Sequence, residues 1–145
     1  MEIMILYFDV VHAIREHDWI IEHSGGLPGI KDEGQLASIL AHIQNDLYYP
    51  SFKEKLNHLV FAINKFHAFN DGNKRSSLVL GAYFLELNGY DYCVRKFVHE
   101  MENIVLWLAE GKISKELLLK LINSLIMDDD YPEMLKLELL EALES

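Results

Sequence analysis

At 145 residues, half of them apolar, the chain has the size of one domain and can bury a core without disulfides or metals as staples. Its formal charge of -10 sets up a field that repels DNA, RNA and anionic lipid, which argues against nucleic acid and membrane surfaces as partners. A single cysteine, Cys93, excludes an intrachain disulfide framework; with no long apolar run and no cationic leader ahead of Ile3, the expectation is a cytoplasmic protein.

Apolar residues recur at spacings of three and four through most of the chain, which predicts an all-α bundle. Ile3 to Phe8 leaves room for a short N-terminal strand. Asp9 is the expected N-cap of a first helix reaching about His23 and stopped by Ser24-Gly25-Gly26-Leu27-Pro28-Gly29. Asp32 is the expected cap of a second helix, whose stripe of Leu36, Ile39, Leu40 and Ile43 faces a core and ends near Asn45. Asp46 to Phe52, with Tyr48-Tyr49-Pro50 at its centre, reads as a flap or short hairpin. A third helix from about Lys53 buries Leu56, Leu59, Val60 and Ile63, and the spacing puts His67 on the same buried face at its end.

Ser76 to Leu87 is apolar nearly all round, as expected of a helix surrounded by others, and Asn88-Gly89 closes it. Two further helices are predicted near Phe97 to Glu110 and Ser114 to Ile126, separated by Gly111. Pro132 then opens a last helix with Leu135, Leu139, Ala142 and Leu143 on one face, so residues 131–145 read as an extra C-terminal helix on a single domain covering 1–145.

The chemistry is concentrated in His67-Ala68-Phe69-Asn70-Asp71-Gly72-Asn73-Lys74-Arg75. Between Lys65 and Arg75 three cations face one carboxylate, a local balance of +2 in an acidic protein. A buried helix opening at Gly72 and Asn73 leaves its first N–H groups unpaired and adds the positive end of its dipole, which favours an anion. Lys74 supplies a point charge and Arg75 a planar fork suited to phosphate oxygens, with Lys65 as an accessory contact. Asp71, the loop's only carboxylate, suits Mg²⁺ beside phosphates, and capping the following helix is an equally good role for it. An imidazole such as His67 can take a proton from a hydroxyl near neutral pH. Phe69 is expected to plug the core and anchor the loop. The other histidines show no metal-ligand spacing, although His17 lies close to the Gly-Gly-Leu-Pro-Gly turn.

The stretch resembles the Fic/Doc family signature, His-x-Phe-x-(Asp/Glu)-Gly-Asn-(Gly/Lys)-Arg, at every fixed position. Gly25-Gly26-Leu27-Pro28-Gly29 and the helix after it are similar to the start of death-on-curing (Doc) toxins, and the likeness covers about Asp9 to Tyr90. The resemblance implies a Fic/Doc-type helical bundle with a short β flap. In it His67 activates a hydroxyl of a protein target, Asp71 holds Mg²⁺, and Gly72, Asn73, Lys74 and Arg75 hold the phosphates of ATP. Tyr48 and Tyr49 would lie in the flap that aligns the target peptide.

AMP-transferring members have glycine where this chain has Lys74, and a second arginine where it has Leu78. Doc toxins share both departures, although Gly72 stands where their prototype has alanine. The resemblance therefore implies transfer of the γ-phosphate of ATP to a hydroxyl of elongation factor Tu, blocking translation, with AMP transfer as the alternative. A non-catalytic nucleotide- or partner-binding module is the alternative of another class. No inhibitory Ser/Thr-x-x-x-Glu-(Gly/Asn) helix is present, since Ser124 is followed at the key positions by Asp128 and Asp129. The implied control is an antitoxin peptide acting in trans.

Overall fold

The computed structural model describes residues 4–144, and among them there are seven α-helices and no strand. They are α1 (Val10–Ser24), α2 (Glu33–His42), α3 (Phe52–Phe66), α4 (Asn73–Leu87), α5 (Val94–Ala109), α6 (Lys115–Met127) and α7 (Glu133–Glu144). Side-chain oxygens start four of them: Asp9 accepts from the N–H of His12, Asp32 from Gln35, Ser51 from Glu54 and Ser114 from Leu117. Gly25, at a φ of 83°, stops α1 and returns its N–H to the carbonyl of Ile21.

The centre of the bundle is α3, which packs against α2, α4, α5 and α6. Its stripe of Leu56, Leu59, Val60 and Ile63 is wholly buried, and truncating any of these leucines costs about 2–5 kcal/mol. In turn α4 meets α1 and α5. Gly81 permits the close α4–α5 approach, because a Cβ there would lie 2.9 Å from Cζ of Phe97. At the end of the chain Leu135 is buried, Leu139 and Ala142 pack on the core, and Met134, Leu137 and Leu140 face outward. No helix among the described residues is long and apolar enough to cross a membrane.

Two extended expectations resolve differently. Ile3 lies outside the described residues, and residues 4–9 join no ladder. Leu6 instead donates its N–H to Oδ1 of Asn88 at 2.8 Å and accepts from Nδ2 at 3.0 Å, so a side-chain amide does the work of a neighbouring strand. Of residues 46–52, expected as a hairpin, 46–51 form a turn and Phe52 already opens α3. Oδ1 of Asn45 accepts from the N–H of Leu47 and Tyr48, and its carbonyl accepts from Tyr49, which curls the segment away from strand geometry. Lys55 fastens this turn to α3: its ammonium is fully buried and donates to the carbonyl of Ile43 at 2.8 Å and to Asp46 at 2.7 Å.

Candidate active site

The helix α3 ends at Phe66, and His67 follows in the left-handed region at φ 52°, ψ 56°, the single non-glycine residue with positive φ among those described. This cap corrects the expectation that His67 lies on the buried face. Leaving helical geometry one residue early swings the ring off the apolar stripe, and His67 is exposed.

Beyond His67 the chain dives inward, and Ala68 and Phe69 are fully buried. The carbonyl of Ala68 accepts from the N–H of Lys31 at 3.0 Å and of Asp32 at 3.2 Å, while Ile30 and Phe69 form an isolated antiparallel bridge. Asn70 donates its N–H to the carbonyl of Gly29 and its side-chain amide to that of Pro28. The glycine-rich turn after α1 thus fixes one flank of the loop. Asn73 closes the other: Oδ1 accepts from the N–H of Phe69 and Nδ2 donates to the carbonyl of Phe69, both at 3.1 Å. Its side chain therefore holds the loop in shape.

Gly72, at φ 74° and with no side-chain cap, opens α4, so the first amides of that helix present their N–H groups at its mouth. Oδ1 of Asp71 accepts from the N–H of Gly72 at 2.8 Å and Oδ2 from that of Leu27 at 3.2 Å. The Gly72 amide first, then that of Leu27, and beyond them the charges of Arg75 and Lys74 hold this carboxyl below the usual carboxylate range against some desolvation. Asp71 is therefore ionised. Gly26 makes room for it, since a Cβ at that position would stand 2.8 Å from Oδ2 of Asp71.

Arg75 reaches back to the end of α1, where one Nη donates to the hydroxyl of Ser24 and to the carbonyl of Gly25 at 3.2 Å. With five N–H donors available, its outer edge can still meet an anion. Lys74 is exposed at the same mouth.

Two cavities adjoin His67. The smaller, of 240 Å³, is lined by His67, Asp71, Gly72, Asn73, Lys74 and Arg75. The other, of 450 Å³, is lined by Phe61, Lys65, Leu108, Ile113 and Lys115. They share Asn64, His67 and Ala109 as a common wall. An imidazole at this divide can take a proton from a group entering on one side while an anion sits on the other. Lys65 faces the second cavity, away from the helix mouth. A further cavity, of 580 Å³ between α6 and α7, shares no lining residue with either of them and lies outside this convergence of titratable groups.

Tyr48 and Tyr49 line neither of the cavities beside His67. Tyr48 is exposed, whereas the ring of Tyr49 stacks on His58 at 4.5 Å and its hydroxyl lies 3.0 Å from Nδ1 of His58. The ammonium of Lys115 approaches the same nitrogen at 2.9 Å. Burial first, then Lys115 and His42, push the imidazole of His58 down to about 4, so the ring is a neutral acceptor. This cluster escaped sequence reading because its members lie on three separate elements.

A second residue that spacing only hinted at is His17. It shares the buried face of α1 with Ala13, Ile20 and Ile21 and touches the loop directly.

Comparison with known proteins follows these elements. Residues 7–85, from the segment before α1 through most of α4, match the Fic/DOC family. The protein kinase doc of Escherichia phage P1 is 35% identical over 103 residues, covering 68% of this chain and 78% of the phage protein. Since the match spans over half of the chain and includes the loop between α3 and α4 with the helices that position it, the chain belongs to the Fic/DOC family.

Proposed function

We propose that this chain is a Doc-type protein kinase, a toxin that transfers the γ-phosphate of ATP to a hydroxyl of a protein target. The observation that carries the reading is His67 on the wall between two cavities, one of them formed by an amide-lined helix mouth with Lys74, Arg75 and an ionised Asp71. Lys74 in that mouth and the likeness to a phage protein kinase support γ-phosphoryl transfer over AMP transfer.

In this reading the terminal phosphates lie against the N–H groups opening α4, with Lys74 and Arg75 balancing their charge. His67 takes the proton of the target hydroxyl as its oxygen forms a bond to the γ-phosphorus. The bond from that phosphorus to the bridging oxygen breaks, and ADP departs with the electron pair. Asp71 is the single carboxylate lining the cavity, and no group of three or more His, Cys, Asp or Glu residues gathers among the described residues. This donor set fits Mg²⁺, which takes one or two carboxylates and completes its shell with water and phosphate. Bound there, Mg²⁺ would neutralise developing charge on the phosphate oxygens.

The target, by resemblance, is elongation factor Tu in the cytoplasm, with translation block as the outcome and an antitoxin peptide as the control in trans. The chain is read as one Fic/Doc-like domain to which α7 is appended within residues 131–145. Incubation with Mg²⁺, elongation factor Tu and ATP labelled at either the γ or the α position tests the proposal. The expected result is γ label on the target, lost in His67→Ala. Label from α would establish AMP transfer instead, and no transfer despite nucleotide binding would leave a non-catalytic module.

A further inference from the structure

His17 lies outside the signature loop, yet it is wholly buried against it. Its ring stacks face to face on Phe69, with centroids 3.9 Å apart and planes within 4°. Its Nε2 is 2.7 Å from the carbonyl oxygen of Asp71. A carbonyl offers no proton, so Nε2 carries the hydrogen and donates it. Carbonyl and carboxylate belong to the same residue, and the next amide, Gly72, donates to that carboxylate at 2.8 Å. Gripping the carbonyl fixes the peptide plane between Asp71 and Gly72, and hence the direction from which the carboxylate faces the cavity. A Cβ on Gly72 would stand 3.7 Å from Nε2, so the imidazole edge lies close beneath that peptide. The other nitrogen, Nδ1, is 3.4 Å from a carboxylate oxygen of Asp18, at the outer limit of a hydrogen bond.

From this geometry we infer that His17 is a positioning residue that aims Asp71 at a divalent cation, acting through a donated hydrogen bond rather than through bulk. The inference rests on the reading of Asp71 as the metal ligand. It differs from a packing role, because the stack on Phe69 and the hydrogen bond to Asp71 can be removed separately. His17→Phe keeps a flat ring against Phe69 and loses the donor. His17→Gln keeps a donor and loses most of the stack.

The test uses the whole chain with ADP and Mn²⁺ as the probe, free Mn²⁺ being read by electron paramagnetic resonance, alongside the Mg²⁺ dependence of transfer. Removing an outer partner of a metal ligand weakens metal affinity roughly 10- to 100-fold. His17→Phe is expected to fall in that range, with half-saturating Mg²⁺ rising to match and the rate at saturating Mg²⁺ changing much less. His17→Gln is expected to recover most of the affinity. Equal Mn²⁺ affinity in wild type and His17→Phe, with a clear loss in Asp71→Asn, would overturn the role of His17 alone. Unchanged affinity in Asp71→Asn would overturn the metal reading and this inference with it. Should His17→Phe fail to fold, ¹⁵N resonance of the wild-type imidazole decides. A slowly exchanging proton on Nε2 that shifts when Mg²⁺ and ADP are added supports the inference, and an unprotonated Nε2 overturns it.

Discussion

Gly26→Ala probes the space kept open for Asp71. The new Cβ would stand 2.8 Å from Oδ2 of Asp71, 3.0 Å from Cδ1 of Ile21 and 3.3 Å from an Nη of Arg75, at a φ of +121°. Backbone strain for alanine in such a region is about 1–3 kcal/mol. With a urea slope of roughly 1–3 kcal/mol per molar, the unfolding midpoint should fall by about 1 M. Steric relief falls on the flexible tips, so the Asp71 carboxylate should rotate away and release the N–H of Leu27. Half-saturating Mg²⁺ for transfer should then rise about tenfold, as for loss of an outer partner of a metal ligand. Gly89→Ala is the control: its φ of +85° imposes comparable strain, but nothing lies within 4 Å of the new methyl. It should lose similar stability and keep the wild-type Mg²⁺ dependence. If the two variants respond alike to Mg²⁺, Gly26 does not shape the Asp71 site.

Because His67 is exposed, His67→Ala should move the urea midpoint little while lowering transfer by about two to four decades; an active variant would remove His67 as the base. Lys55→Met strips the carbonyl of Ile43 of its buried partner and frees Asp46, which should cost about 2 kcal/mol in urea unfolding; an unchanged midpoint would mean that the turn at residues 46–51 holds without its pin. His58 has its folded pKa depressed to about 4, so the unfolded chain binds this proton more readily. Its contribution is complete above the reference value near 6.5 and is lost as pH falls toward 4, by about 2 kcal/mol once solvent screening is allowed for. His58→Gln should flatten the stability difference between pH 7.5 and pH 4.5 by that amount, about 2 kcal/mol; an equally steep profile would point to other groups.

Much of the helical framework was legible because local rules agreed with the packing. Asp9, Asp32 and Ser114 are where capping chemistry predicts helix starts, and the stripe of Leu56, Leu59, Val60 and Ile63 forms the centre. Legibility failed where one backbone torsion or one remote side chain decides. The left-handed cap at His67 breaks the period that would bury it. The turn at residues 46–51 follows from Asn45 capturing two amides, against the strand preference of its tyrosines. The hydrogen bond from His17 to Asp71 spans 54 residues, beyond the reach of periodicity.

The stitching of Ala68 to Lys31 and Asp32 bears on how the protein becomes competent. Residues 67–73 draw their shape from partners far back in the chain, so the proposed phosphate cradle can form only once this loop, made after α3, docks on that earlier segment. Solvent protection of the Lys31 and Asp32 amides would accordingly appear together with that cradle and vanish with it, making these two protons sentinels of a fully assembled centre.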